Sequence, residues 1–553
     1  MSRPTMGMFS KKHDEDPLLS DASSDGHTEV ASPAGSPPAS RGRDDGRDLP
    51  HHTYRAISPE PSEQTPLLIL SDDPTTHPYN MFVIRLMRKL SFVFLAFSVL
   101  MFVLLLISVF FTIPGLHSRG SGYLTMFFFL VSIGNLSISL FSFALPSRLE
   151  RILNLVLAGV LLIDFIILLS DGRLRHQEGH MLGVLTQLWT IFTALWVVGC
   201  DAAVEWSRKG QEERVSGRHL ESSQAKWSCR NWFSVFWTLV LTAVLLAVAV
   251  LILFNVAVDA YDSRISPPGQ TVTIASADYD VHVYCNRALR ENEHHPTILI
   301  EAGSTSAEQL AAQWLEPAVS SHDSPIYDYR YCYWDRPGLG FSDSAPSPLS
   351  AGMAVDSLSD ALNVLEEQGP WILVSHGVGG IYSRIFASRH AADVEGLVLV
   401  DTYQEEYFQQ AIGRPARGFG YFLYGLVSPL GIQKQVGWIF MGRSSRDRLY
   451  GRAEHQESKY LRARLQEQTS ARTFTRNEIA AARAILPDDK PIAVITAEDS
   501  VKAIDGWSEQ QRDLADMSYN STWTIVPGPH EVWRTNAGAI AISEAVANLT
   551  VYY

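Results

Sequence analysis

The 553-residue chain has four cysteines, too few for a disulfide-dense scaffold or a cysteine-rich zinc module. It is short of positive charge, with 45 lysines and arginines against 59 acidic residues and a net charge of −14. That balance leaves no basic footprint for nucleic acid, and no such partner is expected. No repeat of solenoid period runs through it. No long apolar run opens the chain; the first begins near Ser91, far beyond where a signal peptide would lie. Neither a metal nor an organic cofactor is expected.

What is present is unevenly spread. Residues 1–80 are rich in Ser, Pro, Asp, Gly and His and poor in aromatics. Such a segment buries too little apolar surface to offset its ordering entropy, so a disordered tail is expected. It carries Asp14-Glu-Asp-Pro-Leu18-Leu19 and Glu63-Gln-Thr-Pro-Leu67-Leu68. Both strings resemble the acidic dileucine signals that sorting adaptors read on cytosolic tails, which points to an endosomal or vacuolar membrane.

Residues 88–261 read as a five-span membrane domain. The apolar segments are Ser91–Ile113, Tyr123–Leu145, Ile152–Leu169, Met181–Val204 and Trp232–Val258, each at or near the roughly 20 residues a span needs. Arg85, Arg88 and Lys89, then Arg148 and Arg151, then Arg208 to Arg230 lie at the ends expected in the cytosol. An odd number of spans then carries the remaining chain to the lumenal or extracellular side. Two sequons there, at Asn520 and Asn548, fit glycosylation. Asn135, Asp164 and Gln187 are polar positions within the spans. An intramembrane carboxyl suggests transport, while a hydrogen bond from Asp164 to Asn135 or Gln187 gives it a structural role instead.

Residues 267–553 alternate strands with helices, the pattern of a mostly parallel α/β sheet. Within them Trp371 to Gly380 reads W-I-L-V-S-H-G-V-G-G. An apolar strand enters a small-residue turn and a helix follows, the layout of a nucleophile elbow. The apex is Gly377, which has no side chain to attack anything. Three further motifs lie in order around it: Glu301-Ala-Gly-Ser304, Asp335-Arg-Pro-Gly-Leu-Gly-Phe-Ser-Asp343 and Pro527-Gly-Pro-His530.

On these four motifs the domain resembles the α/β-hydrolase superfamily. The resemblance implies an α/β-hydrolase fold with a helical cap at about 403–488, beside an all-α bundle of five transmembrane helices. It implies His530 as catalytic histidine, Asp499 as first choice for its acid, with Glu498 and Asp401 open. It implies oxyanion donors from the backbone of Val378 and of Ser304 behind Gly303. Ser375 is a substitute nucleophile two positions before the apex; Ser304 is nearer the expected oxyanion donors but has no elbow strain to expose its hydroxyl. The aromatic stripe of the insertion (Tyr407, Phe408, Tyr421, Phe422, Leu423, Leu426, Trp438 and Phe440) suggests contact with a lipid or acyl ligand. Cys285 and Cys332 share this domain and are candidates for a disulfide. Two functions stay open: a non-enzymatic binder of a small apolar ligand or partner, and an ester hydrolase using His530 with an unorthodox nucleophile or activated water.

Overall fold

The computed structural model describes residues 82–143, 147–216, 229–290 and 295–550, all within one compact unit that begins at Ile69. The expected disordered tail and its strings at Leu18, Leu19, Leu67 and Leu68 lie outside the described residues.

The first part is helical: α1 (Phe82–Ser108), α2 (Tyr123–Ser142), α3 (Arg148–Ser170), the short α4 (Gly172–Gln177), α5 (Met181–Ser216) and α6 (Cys229–Asp262). All but α4 are long and apolar enough to cross a membrane. The first span is displaced from expectation. It starts at Phe82, taking in the basic cluster Arg85, Arg88 and Lys89, and ends at Ser108, six residues before Pro114. The bundle interior holds a hydroxyl chain, in which Ser132 donates to Thr190 at 3.2 Å and Thr193 to Ser132 at 3.3 Å. The expected interhelical bond of Asp164 is absent. Both its oxygens are buried without a partner, as are the Asn135 Nδ2 and both side-chain polar atoms of Gln187.

The second part is an eight-stranded sheet: β1 (Gln270–Ile274), β2 (Tyr279–Cys285), β3 (Thr297–Glu301), β4 (Tyr331–Asp335), β5 (Trp371–His376), β6 (Val394–Val400), β7 (Ile492–Ala497) and β8 (Ser521–Val526). The order is β1-β2-β4-β3-β5-β6-β7-β8. The β1–β2 and β2–β4 pairs are antiparallel and the others parallel. Alternation along the strands sends Leu299, Leu373, Leu397, Leu399 and Val494 into one core. Their neighbours Ile298, Ile300, Ile372, Val374, Val398 and Ile495 enter the other. Both faces of the sheet are therefore covered, which is why its strands read as continuous apolar runs. Cys285 and Cys332 face each other across β2 and β4 and form a disulfide.

Helices α7 (Ala307–Leu310), α8 (Glu316–Ser320), α9 (Ala351–Val364) and α10 (Gly379–Arg389) connect the strands up to β6. Between β6 and β7 come α11 (Glu405–Ala411), α12 (Pro415–Val427), α13 (Ile432–Met441), α14 (Ser445–Tyr450), α15 (Ser458–Ser470) and α16 (Phe474–Ile485). Helices α17 (Glu498–Ala503), α18 (Trp507–Ala515) and α19 (Asn536–Thr550) complete the chain.

Membrane helices and sheet domain are joined by charge. Arg448 grips Asp262 at the end of α6 with two hydrogen bonds of 2.5 and 2.6 Å. Lys434 lies 2.6 Å from Asp259 and 2.7 Å from Glu457. Arg119, before α2, reaches Asp280 at 3.1 Å, and His176 of α4 lies 2.9 Å from the same carboxylate. Arg462 donates to the Ser121 carbonyl at 3.0 Å.

Candidate functional site

The turn after β5 has the geometry the motif promised. Gly377 sits at φ +52°, the left-handed region that favours glycine, and α10 starts two residues later. Its neighbours must also be glycine. A Cβ on Gly379 would lie 2.4 Å from the carbonyl oxygens of Glu301 and Ala302, and one on Gly380 would lie 2.6 Å from Thr402. The helix is thus pressed against the end of β3. A Cβ built on Gly377 points at His530, 3.2 Å from its Nε2. The apex therefore faces the imidazole, and what it presents is a bare α-carbon.

Ser375 does not replace it. Its hydroxyl is fully buried and turned toward the Val398 carbonyl, 3.5 Å away between β5 and β6. A side chain two positions before the apex still belongs to the strand, so it packs against the neighbouring strand.

The carboxylate that meets His530 is that of Asp401 rather than the first-choice Asp499. The Nδ1 of His530 lies 2.6 Å from Asp401 Oδ2. Asp401 stands at the end of β6 with φ +47°, wholly buried. Its carboxylate also accepts from the Ala497 N–H at 3.1 Å, the Trp507 indole at 2.7 Å and the Ser500 hydroxyl at 2.5 Å. Four donors hold a buried negative charge in place. Asp499 is exposed on α17 with its backbone N–H bonded to the Gly528 carbonyl, and Glu498 pairs with Lys502 at 2.8 Å. Since Nδ1–H is given to Asp401, Nε2 keeps its lone pair toward the apex.

The residues expected to give oxyanion donors lie on two backbone segments. Val378 precedes α10, where the first N–H groups have no intrahelical acceptor. Across from it lies the loop Ala302 to Ser306. Arg336 secures that loop, donating to Glu301 at 2.9 Å, to the Ala302 carbonyl at 2.5 Å and to the Gly303 carbonyl. The ring of Tyr382 lies 4.4 Å from the guanidinium carbon. Glu454, from the insertion, accepts from the Ser306 and Gly340 N–H groups at 2.9 and 2.7 Å. Burial pushes the Glu301 carboxyl up to about 7 and Glu454 up to about 8.

His530 forms the wall between two clefts. One, of about 210 Å³, is lined by Gly303, Ser304, Thr305, Leu310, His376 and Trp533. The other, of about 320 Å³, is lined by Tyr403, Tyr407, Ala503, Ile504 and Trp507. His376 packs on His530 at 4.3 Å and on Trp533 at 4.5 Å, and its Nε2–H donates to the His530 carbonyl at 3.0 Å. Burial and the nearby His530 hold His376 well below the ordinary histidine range. It is a neutral support, and its ring explains Gly303, where a Cβ would come within 2.5 Å of Nδ1.

Sequence reasoning missed His376, Trp533 and the Arg336–Glu301 pair; the arginine inside the second motif was the available signal. It also misplaced the aromatic stripe. Of those residues Tyr407 lines a cleft, whereas none from α12 or α13 does; Phe422 packs on Phe110 of the membrane region instead. Asn520 is half-buried before β8, and Asn548 is exposed on α19.

Comparisons with known proteins fit this architecture. A family model described as a region of unknown function (DUF2417) matches residues 46–285. One described as alpha/beta hydrolase family matches residues 312–541. An uncharacterized protein of Schizosaccharomyces pombe is 30% identical over 84% of this chain and 90% of its own length. An uncharacterized vacuolar membrane protein of Saccharomyces cerevisiae is 28% identical over 50% of this chain and 49% of its own. Among solved structures, the enol-lactonase of Burkholderia xenovorans is 16% identical, with 51% of this chain and 100% of that chain covered and a TM-score of 0.36.

Proposed function

Because this chain belongs to the α/β-hydrolase family, with a five-helix membrane region fused ahead of the hydrolase fold, we propose what that fold does when its apex is glycine. The domain binds a small apolar, carbonyl-bearing ligand and forms no covalent intermediate with it. One observation carries this reading: the His530 Nε2 faces the Gly377 α-carbon, and Ser375, two residues before it, is turned away. The ligand's carbonyl lies against the Val378 and Ser304 N–H groups, and its apolar part lies in the cleft of Thr305, Leu310 and Trp533.

A second reading is favoured by the intact His530–Asp401 pair. A water held in the space of the missing hydroxyl gives its proton to Nε2 as its oxygen attacks a bound ester, and the tetrahedral intermediate then expels the alcohol, which takes that proton from Nε2. Backbone donors and binding alone can sustain about 10³–10⁴-fold catalysis over water when a triad member is lost, so such an enzyme is slow.

The purified full-length protein in detergent separates the two. Binding predicts enhanced emission from dansyl-undecanoic acid that is lost in Thr305→Trp, with p-nitrophenyl butyrate hydrolysis at the buffer rate. Hydrolysis above that rate, abolished by His530→Ala, would establish the second reading instead.

For location, the chain is an integral membrane protein, and the names of its S. cerevisiae relatives favour a vacuolar membrane. The N-terminus is cytosolic and the hydrolase domain lumenal. The Cys285–Cys332 bridge supports that side, since disulfides persist in oxidising compartments. Asn520 and Asn548 are its glycosylation acceptors, and adaptors read Leu18, Leu19, Leu67 and Leu68. An endoglycosidase-sensitive mobility shift supports this topology; proteolysis of the C-terminal domain from the cytosolic side of sealed vesicles contradicts it.

A further inference from the structure

The insertion leaves one apolar face uncovered. α12 turns Phe419, Leu423 and Val427 outward at four-residue spacing, all on one side of the helix. α13 turns out Ile432, Val436 and the run Trp438–Met441, in which Phe440 is 78% exposed. A face this apolar marks an interaction surface.

Its inner side is packed on membrane helices. The Phe422 ring lies 5.5 Å from that of Phe110, Gly425 abuts the Tyr123 ring, and Gly431 abuts Asn255. Gln435 Nε2 donates to the Leu251 carbonyl of α6 at 3.3 Å. That contact fixes the depth. From Trp232 to Val258 α6 carries no charge, and Leu251 lies eight residues inside Asp259, the first charge at that end. At 1.5 Å per residue this is about 12 Å into the apolar part of the span. Phe254, one turn of α6 away, is itself 56% exposed, so the uncovered face of the hairpin continues the lipid-facing surface of the span.

Charge follows the same geometry. From Gly418 to Met441 the one charged residue is Lys434, whose amine is buried between Asp259 and Glu457. Arg414 and Arg417 stand exposed before this stretch and Arg446 after it. An apolar face bordered by arginines is the signature of an element lying in a membrane interface.

We propose that α12–α13 is a membrane-dipping hairpin. Its outer face sits among the acyl chains of the leaflet into which α6 ends, with Arg414, Arg417 and Arg446 level with the lipid phosphates. The hydrolase domain is then held to the bilayer twice, by its spans and by its own insertion.

The test uses the full-length protein, with Cys200 and Cys229 replaced by serine and the disulfide kept, in phosphatidylcholine–phosphatidylserine vesicles. An environment-sensitive NBD label is placed at Phe440→Cys, or at Met441→Cys should the first variant fail to fold. A control label sits at Asp489→Cys, exposed in the turn that leads into β7. Lipid carrying a doxyl quencher high on its acyl chain is expected to remove most of the hairpin label's emission and little of the control's, with aqueous iodide doing the reverse. Iodide quenching of the hairpin label without doxyl quenching overturns the proposal. So does shielding from both, which would mean that a second protein surface covers the face.

Discussion

At the residue scale the site turns on three positions. Gly377 aims a Cβ direction at His530, so a serine there points its hydroxyl at the imidazole while its backbone is held at a strained φ of +52°. The imidazole need give only a few tenths of an ångström, and at 40% side-chain exposure it has room. In a Gly377→Ser background, Asp401→Asn is expected to lower kcat on p-nitrophenyl butyrate by about 10⁴-fold, since the histidine then loses its tautomer and its countercharge. Asp499→Asn is expected to leave kcat within a few-fold; the opposite ranking would return the acid to Asp499. The sequence could not separate these carboxylates, because each directly or closely follows an apolar strand. What separates them is the path of the loop bearing His530, which brings the ring over β6 where Asp401 is already surrounded by donors from Ala497, Ser500 and Trp507. The glycine apex was legible because strand, turn and helix are local. His376 and Trp533 were not, because they meet only once β5 and the last loop converge.

At the element scale the strands were legible from their apolar runs, and the long helices from theirs. The insertion was read as helical but assigned the wrong neighbour. An aromatic stripe reports that a face is covered or lipid-exposed, not what covers it; here α12 and α13 meet α2 and α6 rather than the clefts. The joint between membrane and sheet parts rests on side chains that are almost fully buried, Arg448 at 2% and Asp262 at 5% exposure. Arg448→Met strands a buried carboxylate and is expected to destabilise the protein by about 3–5 kcal/mol, read as a lower thermal midpoint in detergent. Pairing it with Asp262→Leu should restore much of the loss, and a single variant with unchanged midpoint would show that the joint rests elsewhere.

At the scale of the whole molecule the buried carboxyls set a pH dependence. Glu301 and Glu308 are pushed up to about 7 and Glu454 to about 8, chiefly by burial. Acids raised in this way add stability that is complete below their unfolded pKa of about 4.3 and is lost as pH climbs through the folded values. His282, raised by its buried pairing with Asp335, acts in the same sense. His117 and His376 are held low by burial and act oppositely, but their share changes below about 6.5. Lys459, held down to about 8, contributes its change above that value. Between about 6.5 and 8 the carboxyls therefore prevail, and the thermal midpoint is expected to fall as pH rises. Glu454→Gln should flatten that fall, and a midpoint that rises across the window would contradict the account.

The most direct measurement is intact-mass analysis of the full-length protein after exposure to a fluorophosphonate, for the natural sequence and for Gly377→Ser. The account predicts no adduct on the natural protein and a single adduct, mapped to residue 377, on the variant. An adduct on the natural chain at Ser375 or another serine, or a correctly folded variant that stays unlabelled, would contradict it.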